Sequence, residues 1–408
     1  IVWVACLIVL IVLSAGFAYW TYFRKQIVRE QLELAILDGS DSLYQIQYSQ
    51  MKMDEVKGWI LVRNLVVQYD SNRLNTLLQN STAPASVLRI KIPEIRINGV
   101  KTPRVLLGKE LIAHEIEIIR PVVEIFKTSQ SDTTGTQSLS SATEYDKILG
   151  NLNKIGLGRL IVDKANIIST RLNAKDTTLH ISDLHFDIKD ITIDSNSSLD
   201  PNRILFANKV KFACRSFEWP SQNKIYSYKA DSVKYDSEKL SLHVGRYQII
   251  PQLSEAAFTK QLRFANDRFD LELQKIHVFG LNLPALQRDS VLIDSLKIDG
   301  GHLWVYRDLA VPHDGKSRLG TYPHQLLAKA GLAINIPVFR ANGFDIEYRE
   351  RNVKTRKTGA VKFGNSRIKI TDISNFTTVP ATQPMDIRVS SSFMNQSPLQ
   401  VSWKLFPA

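Results

Sequence analysis

From residue 46 to the end, the chain alternates apolar and polar residues with a period of two. That feature restricts it to a β fold. VLRIKIPEIRING, TTLHISDLHFDIKDITID, DLELQKIHVFGLNL and LAINIPVFRANGFDIEYRE each place Ile, Leu, Val or Phe on one side and Lys, Asp, Ser or Thr on the other. Successive strand residues point to opposite faces, so one face is apolar and the other wet, as in a largely antiparallel sheet. Asn98-Gly99, Gly300-Gly301 and Asn342-Gly343 read as tight reversals needing positive φ. EYDKILGNLNKIG, SEAAFTKQLRFAND and HQLLAKAG read as short helical inserts that cover ends or edges.

One phrase returns. ELIAHEIEIIRPVVEIFK at 110–127 is echoed about 180 residues later by DSVLIDSLKIDGGHLWVYRD at 289–308. Read as hairpins, Ile116 and Ile118 match Leu296 and Ile298, and Arg120-Pro121 matches Gly300-Gly301 at the reversal. Val122, Glu124 and Phe126 then match His302, Trp304 and Tyr306. Beyond the reversal the inward face is ambiguous by one residue, because Val123 and Ile125 fall opposite Leu303 and Val305. Looser copies surround Asn342-Gly343, with Phe344, Ile346 and Tyr348, and Lys164-Ala165, between Leu160, Val162 and Ile167. Stacked units of this kind bury their apolar faces in a continuous trough. The competing reading is that any large antiparallel sheet contains similar hairpins.

The first 23 residues, IVWVACLIVLIVLSAGFAYWTYF, carry no charge. As a helix, about 20 of them span roughly 30 Å, the hydrocarbon thickness of a bilayer. Trp20, Tyr22 and Phe23 gather at the end, followed by Arg24 and Lys25, as expected at a membrane interface. The stretch reads as an anchor, with a cleaved signal peptide as the alternative. Arg24, Lys25 and Arg29 alone would favour a cytoplasmic body, so charge leaves the orientation open. A short helix over 24–45 is expected next.

The net charge of +12 suits a nucleic-acid binder or a protein near an anionic membrane. The basic residues are dispersed, and an anchor accounts for them without nucleic acid. The densest group, Arg349, Arg351, Lys354, Arg356, Lys357 and Lys362, reads as a solvated hairpin tip rather than a binding patch. Cys6 and Cys214 exclude a disulfide framework and a cysteine zinc site. His180 and His185 lie five apart on a predicted strand, which would turn their rings to opposite faces. No Walker A, HExxH, GxSxG or GxGxxG motif occurs, so no catalytic residue, metal ligand or cofactor site is assigned.

KGWILVRNLVVQYD, followed by RIKIPEIRINGVKTPRVLLGKELIAHEIEIIRPVVEIFK behind an apolar helix, resembles the N-terminal module of AsmA-like, TamB-related envelope proteins. The matching positions are Val105-Leu106-Leu107 with Lys109-Glu110, then Ile116, Ile118, Pro121, Val123 and Ile125. Gly280 to Leu283, then Leu292 to Tyr306, is similar to the module restarted. The resemblance implies an inner-membrane, single-pass anchor and a periplasmic body. It also implies an elongated, curled antiparallel β-sheet forming an apolar groove for phospholipid passing between inner and outer membranes. It supplies no catalytic residue.

The expected organisation is an anchor (1–23), a juxtamembrane helix (24–45), an N-terminal β module (46–127) and a polar linker with a short helix (128–152). A central sheet (153–275) and a second β module (276–408) follow, the latter expected to be cut short at its C-terminus. Expected groove-wall residues are Ile116, Ile118, Val123, Ile125, Leu296, Ile298, Trp304, Ile346 and Tyr348. The expected partners are phospholipid and membrane. The alternative is a structural factor docking on envelope proteins of an outer-membrane assembly or secretion machine.

Overall fold

The computed structural model describes residues 42–54, 57–100, 110–128, 154–172, 176–194, 200, 203–204, 206–221, 223–315, 317, 322–376 and 384–406. The expected anchor, Trp20, Tyr22, Phe23, Arg24, Lys25 and nearly all of the juxtamembrane helix lie outside these residues, as does the polar linker. Among the described residues no helix is long and apolar enough to cross a membrane. The fold is mainly β, in two units, 1–214 and 215–408.

In the first unit, β1 (Tyr44–Gln47) and β2 (Gln50–Asp54) lie end to end, both antiparallel to β3 (Trp59–Tyr69). α1 (Ser71–Gln79) follows, capped by the Asp70 carboxylate, which accepts the Asn72 and Arg73 amides at 2.8 and 2.9 Å. β4 (Ser86–Asn98) pairs antiparallel with β3. β5 (Glu110–Ile119) and β6 (Val122–Lys127) both run antiparallel to β4. β7 (Lys154–Arg171) runs parallel to both, and β8 (Thr177–Ile193) antiparallel to β7. β9 (Lys209–Pro220) carries the unit boundary.

The second unit repeats this order. β10 (Tyr226–Asp236), β11 (Ser241–Pro251), α2 (Glu255–Gln261) and β12 (Arg268–Phe279) correspond to β1/β2, β3, α1 and β4. After α3 (Leu283–Leu286), β13 (Ser290–Leu292) and β14 (Ser295–Asp308) stand where β5 and β6 stand. α4 (Pro323–Ala328) lies on the crossover to β15 (Ala333–Arg351), which is parallel to β13 and β14. β16 (Thr358–Ser374), β17 (Met385–Phe393) and β18 (Ser397–Leu405) continue antiparallel.

Individual hydrogen bonds match as well. The Tyr44 hydroxyl accepts the Leu88 amide at 3.1 Å, and the Tyr226 hydroxyl accepts the Phe269 amide at 3.1 Å. The Val100 amide reaches the Gly58 carbonyl, and the Leu281 amide the Leu240 carbonyl. The spacing of about 180 residues seen in one phrase thus holds for a whole seven-element unit.

Two expectations are corrected. The sheets are mixed rather than antiparallel, because a crossover makes β7 and β15 parallel to the strands before them. The predicted reversals at Arg120-Pro121, Gly300-Gly301, Asn342-Gly343 and Lys164-Ala165 do not reverse the chain. β5 and β6 continue along one partner, and β14, β15 and β7 run straight through these pairs. They are mid-strand bulges, which need the same left-handed backbone as turns.

The bulges line up across the strands. In the first unit Asn64, Arg120, Lys164 and Asp183 have φ of 52°, 49°, 51° and 47°. Ser232, Lys275, Gly300, Gly343 and Asn365 form the corresponding line in the second unit. Further along, Gly99 and Asp190 match Gly280 and Asp372, again with positive φ. Each bulge bends its strand and shifts the alternation by one residue. In β8 the buried apolar positions accordingly run Ile181, then Leu184 and Ile188, then Ile191 and Ile193. The shift at Asp183 also brings His180 and His185 to the same face, where alternation alone had separated them: His180 registers against Ile168, and His185 lies 3.4 Å from Asp163.

The cost of left-handed geometry makes one test direct. A non-glycine residue there is disfavoured by about 1–2 kcal/mol, and glycine's extra unfolded-state freedom returns about 0.5–1 kcal/mol of that. Lys164→Gly is therefore expected to stabilise the first unit by about 0.5–1 kcal/mol. Urea unfolding would show it as a higher midpoint with an unchanged slope.

Candidate functional site: the apolar face of the second unit

Each unit carries one apolar face running across its bulge lines. In the first unit that face is closed. Ile90, Ile92, Ile116, Ile118, Val123 and Ile155 are each at most 2% exposed. At one end the opposite face is covered by the helix, whose Leu74 packs with Leu43 and Val87. In the second unit Phe258 of α2 and Tyr306 of β14 are likewise buried, at 3% and 5% exposure.

The equivalent apolar face of the second unit is only partly closed. Ile276, Ile298 and Ala341 form its buried centre, with Val244, Tyr247, Leu273, Leu296, Phe339 and Ile368 half-buried around them. The register extends the face to Leu303 and Val305 opposite Ile346 and Tyr348, and through Phe363 to Phe393. Val389 and Ile387 pair with Val401 and Trp403 of β18. Phe393 and Trp403 are 40% and 50% exposed, so the face opens toward the last two strands.

The nine expected wall residues divide accordingly. Ile116, Ile118 and Val123 lie in the closed face, and Ile125 is half-buried beyond them in β6. Leu296, Ile298, Ile346 and Tyr348 lie together on the partly open face. Trp304 does not join them. It registers with Glu347, on the face opposite Ile346 and Tyr348, where it stacks on His302 at 4.0 Å between ring centroids and is 46% exposed. The bulge at Gly300-Gly301 resolves the one-residue ambiguity in favour of Leu303 and Val305, which correspond to Val123 and Ile125. Phe339 takes the place that Leu160 holds in the other copy and was overlooked there. Phe393 and Trp403 escaped notice because no repeat points to them, and strand alternation in SSSF and SPLQVSWKL is the only signal they give.

The polar groups bordering this face are engaged structurally. The Tyr348 hydroxyl donates to Glu350 at 2.9 Å, and burial, followed by that carboxylate, pushes the phenol above its ordinary range. Tyr235 is pushed up to about 12 by burial, then by Asp236. The expected hairpin tip forms between β15 and β16: Arg349 reaches Glu255 at 2.6 Å, Arg351 reaches Asp308 at 2.8 Å and Lys362 reaches Glu347 at 3.3 Å. Cys214 is a buried cysteine that forms no disulfide among the described residues. Among the described residues no group of His, Cys, Asp and Glu could hold a metal ion. What the face offers is a partly exposed aliphatic and aromatic wall.

No known protein family matches the chain, and no curated protein does. Among solved structures, the crystal structure of a sex pheromone staph-cAM373 precursor aligns at 8% identity over 91% of this chain and 89% of that one, with a TM-score of 0.14. A likeness at that level carries no argument.

Proposed function

We propose that the chain is a non-enzymatic protein that binds or conducts phospholipid acyl chains along the apolar face of its second unit. In this reading residues 1–23 anchor it in the inner membrane, the body stands in the periplasm, and the lipid travels between inner and outer membranes. The observation that carries the proposal is the contrast between the two copies. The same face is sealed over Ile118 and left partly uncovered from Leu296 and Phe339 to Phe393 and Trp403. Contiguous apolar surface left uncovered marks a binding site more often than a defect. An acyl chain gains about 0.8 kcal/mol per buried CH₂, so a face several strands wide holds a lipid while letting it slide. The resemblance to AsmA-like proteins, found in the same stretches, supports the same assignment.

A photo-crosslinking residue placed in the full chain separates the faces. Substituted at Leu296 or Ile346 and irradiated in cells, it is expected to give lipid adducts visible by mass spectrometry. Substituted at Ile118, it should give none. Absence of adducts at all three positions would remove the lipid reading.

A further inference from the structure

The polar face of the second unit carries a feature that the lipid reading does not use. The register aligns Lys234 with His243, His243 with His277, and His277 with Lys297. Lys297 then aligns with Arg340, Arg340 with Lys369, and Lys369 with Arg388. Seven basic residues therefore stand side by side on successive paired strands, a row roughly 29 Å long at about 4.8 Å per strand.

The first unit provides the internal control. Its equivalent row, on β2, β3, β4, β5, β7 and β8, is Lys52, Leu61, Arg96, Glu117, Ile161 and Asp187. That row is charge-balanced. Arg96 reaches Glu117 at 2.9 Å, and Asp187 accepts both prongs of Arg159 at 2.8 and 2.9 Å. The same fold therefore forms without a basic row. Like charges directly opposite on neighbouring strands destabilise a sheet, so the second row opposes stability.

Some of its charge is answered: Lys297 meets Asp299 at 2.6 Å and Arg388 meets Asp386 at 3.0 Å. The His243 and His277 rings lie 4.5 Å apart between centroids, tilted by 44°, and burial, then His277 and Lys234, holds the His243 pKa below the usual histidine range. Arg340, Lys369 and the adjacent Arg367 are exposed and have no carboxylate partner among the described residues. With Asn342, Arg388 and Gln400 they line a depression of about 600 Å³, which Ile368, Val389 and Val401 also border.

We infer that Arg340, Arg367 and Lys369, flanked by Arg388, form a binding site for a phosphate-bearing anion. Two guanidinium groups and an ammonium offer bidentate and point-charge donors to phosphate oxygens. Asn342, Ser390 and Ser402 border the same depression with neutral donors. Both a soluble phosphate and a lipid phosphate headgroup present that chemistry. By register Arg340 and Lys369 alternate with Phe339, Ala341 and Ile368, so their side chains stand on the face opposite the apolar wall.

The test uses the full chain, wild type and Arg340→Gln/Lys369→Gln, at physiological ionic strength. One arm titrates inorganic pyrophosphate calorimetrically against a chloride control. The other sediments the protein with phosphatidylcholine vesicles, with and without phosphatidylglycerol. The double variant is expected to lose about tenfold or more in affinity in at least one arm, at about one order of magnitude for two surface cations. Its thermal stability should be unchanged or higher, because repulsion is relieved. Lys52→Gln in the balanced row should leave both arms unchanged.

Loss with pyrophosphate alone identifies a soluble phosphate ligand, and loss with phosphatidylglycerol vesicles alone a headgroup. Because both proteins keep the apolar N-terminal stretch, only their difference reports on the site. Equal binding by wild type and variant in both arms, or no binding by wild type in either, overturns the inference.

Discussion

Gly301→Val is expected to destabilise the second unit by about 3 kcal/mol or more. Gly301 has φ of 132° in the middle of β14, and any Cβ there would overlap the Glu272 carbonyl oxygen of β12. The obstruction is backbone, held by the pairing of Leu273 with Gly301, so neither strand can yield without breaking the ladder. Strain at such a φ costs about 1–3 kcal/mol, and forced overlap adds a similar amount. Chemical denaturation followed by tryptophan fluorescence should show a transition at lower denaturant. Trp304 and Trp403 would report on the second unit, and Trp59 on the first. A variant as stable as wild type would mean that the Gly300-Gly301 bulge is not a fixed part of the fold.

The second large effect separates the two apolar faces. Ile118→Asp puts a carboxylate at a position with no exposure, flanked by Ile95 and Val162. Burial of an unpaired charge is expected to cost about 4–5 kcal/mol, enough to unfold a unit of ordinary stability. Ile346→Asp, on the half-buried stretch beside Leu303, should cost about 1–2 kcal/mol, because its carboxylate can reach water. It should nevertheless abolish lipid retention. Circular dichroism and lipid extraction on the two purified variants decide the matter. A folded Ile118→Asp protein would mean that the first unit is not closed, and an Ile346→Asp protein that still holds lipid would remove the proposed wall.

Much of the architecture was legible in the sequence, and the failures have a common cause. Alternation in VLRIKIPEIRING and its relatives identified the strands, and the echo of 110–127 at 289–308 located the repeat. The four phrases that looked alike are the two strands joined by the crossover in each unit, β5/β6 with β7 and β14 with β15. Glycine and asparagine at 342–343 signal positive φ but not whether the chain turns back there, since turns and bulges need the same backbone. Lys164 and Lys275 give no such signal, because a lysine in the left-handed region is held by its neighbours and not by preference. A bulge leaves the face of the positions after it ambiguous by one residue, and the expected wall puts Trp304 on the wrong side of that ambiguity but Val123, Ile346 and Tyr348 on the right one. Helix α1 was missed because SNRLNTLLQ is a single short amphipathic stretch that needs the sheet beneath it to be stable. The degree of closure was illegible for a different reason: Ile116 and Leu296 sit in nearly identical local patterns, yet the first is buried and the second half-buried, and only tertiary packing separates them.

The duplication also sets a timetable. The registers that join β1 through β8 run among those strands alone, so all of them can form once Ile193 has been made. The last strand of the second copy, β16, ends at Ser374. At about 5–20 residues per second, the first copy has a head start of roughly 10–40 s. Its apolar residues can therefore be sealed before the more exposed ones of the second copy leave the ribosome, and the two similar faces need not be sticky at the same moment.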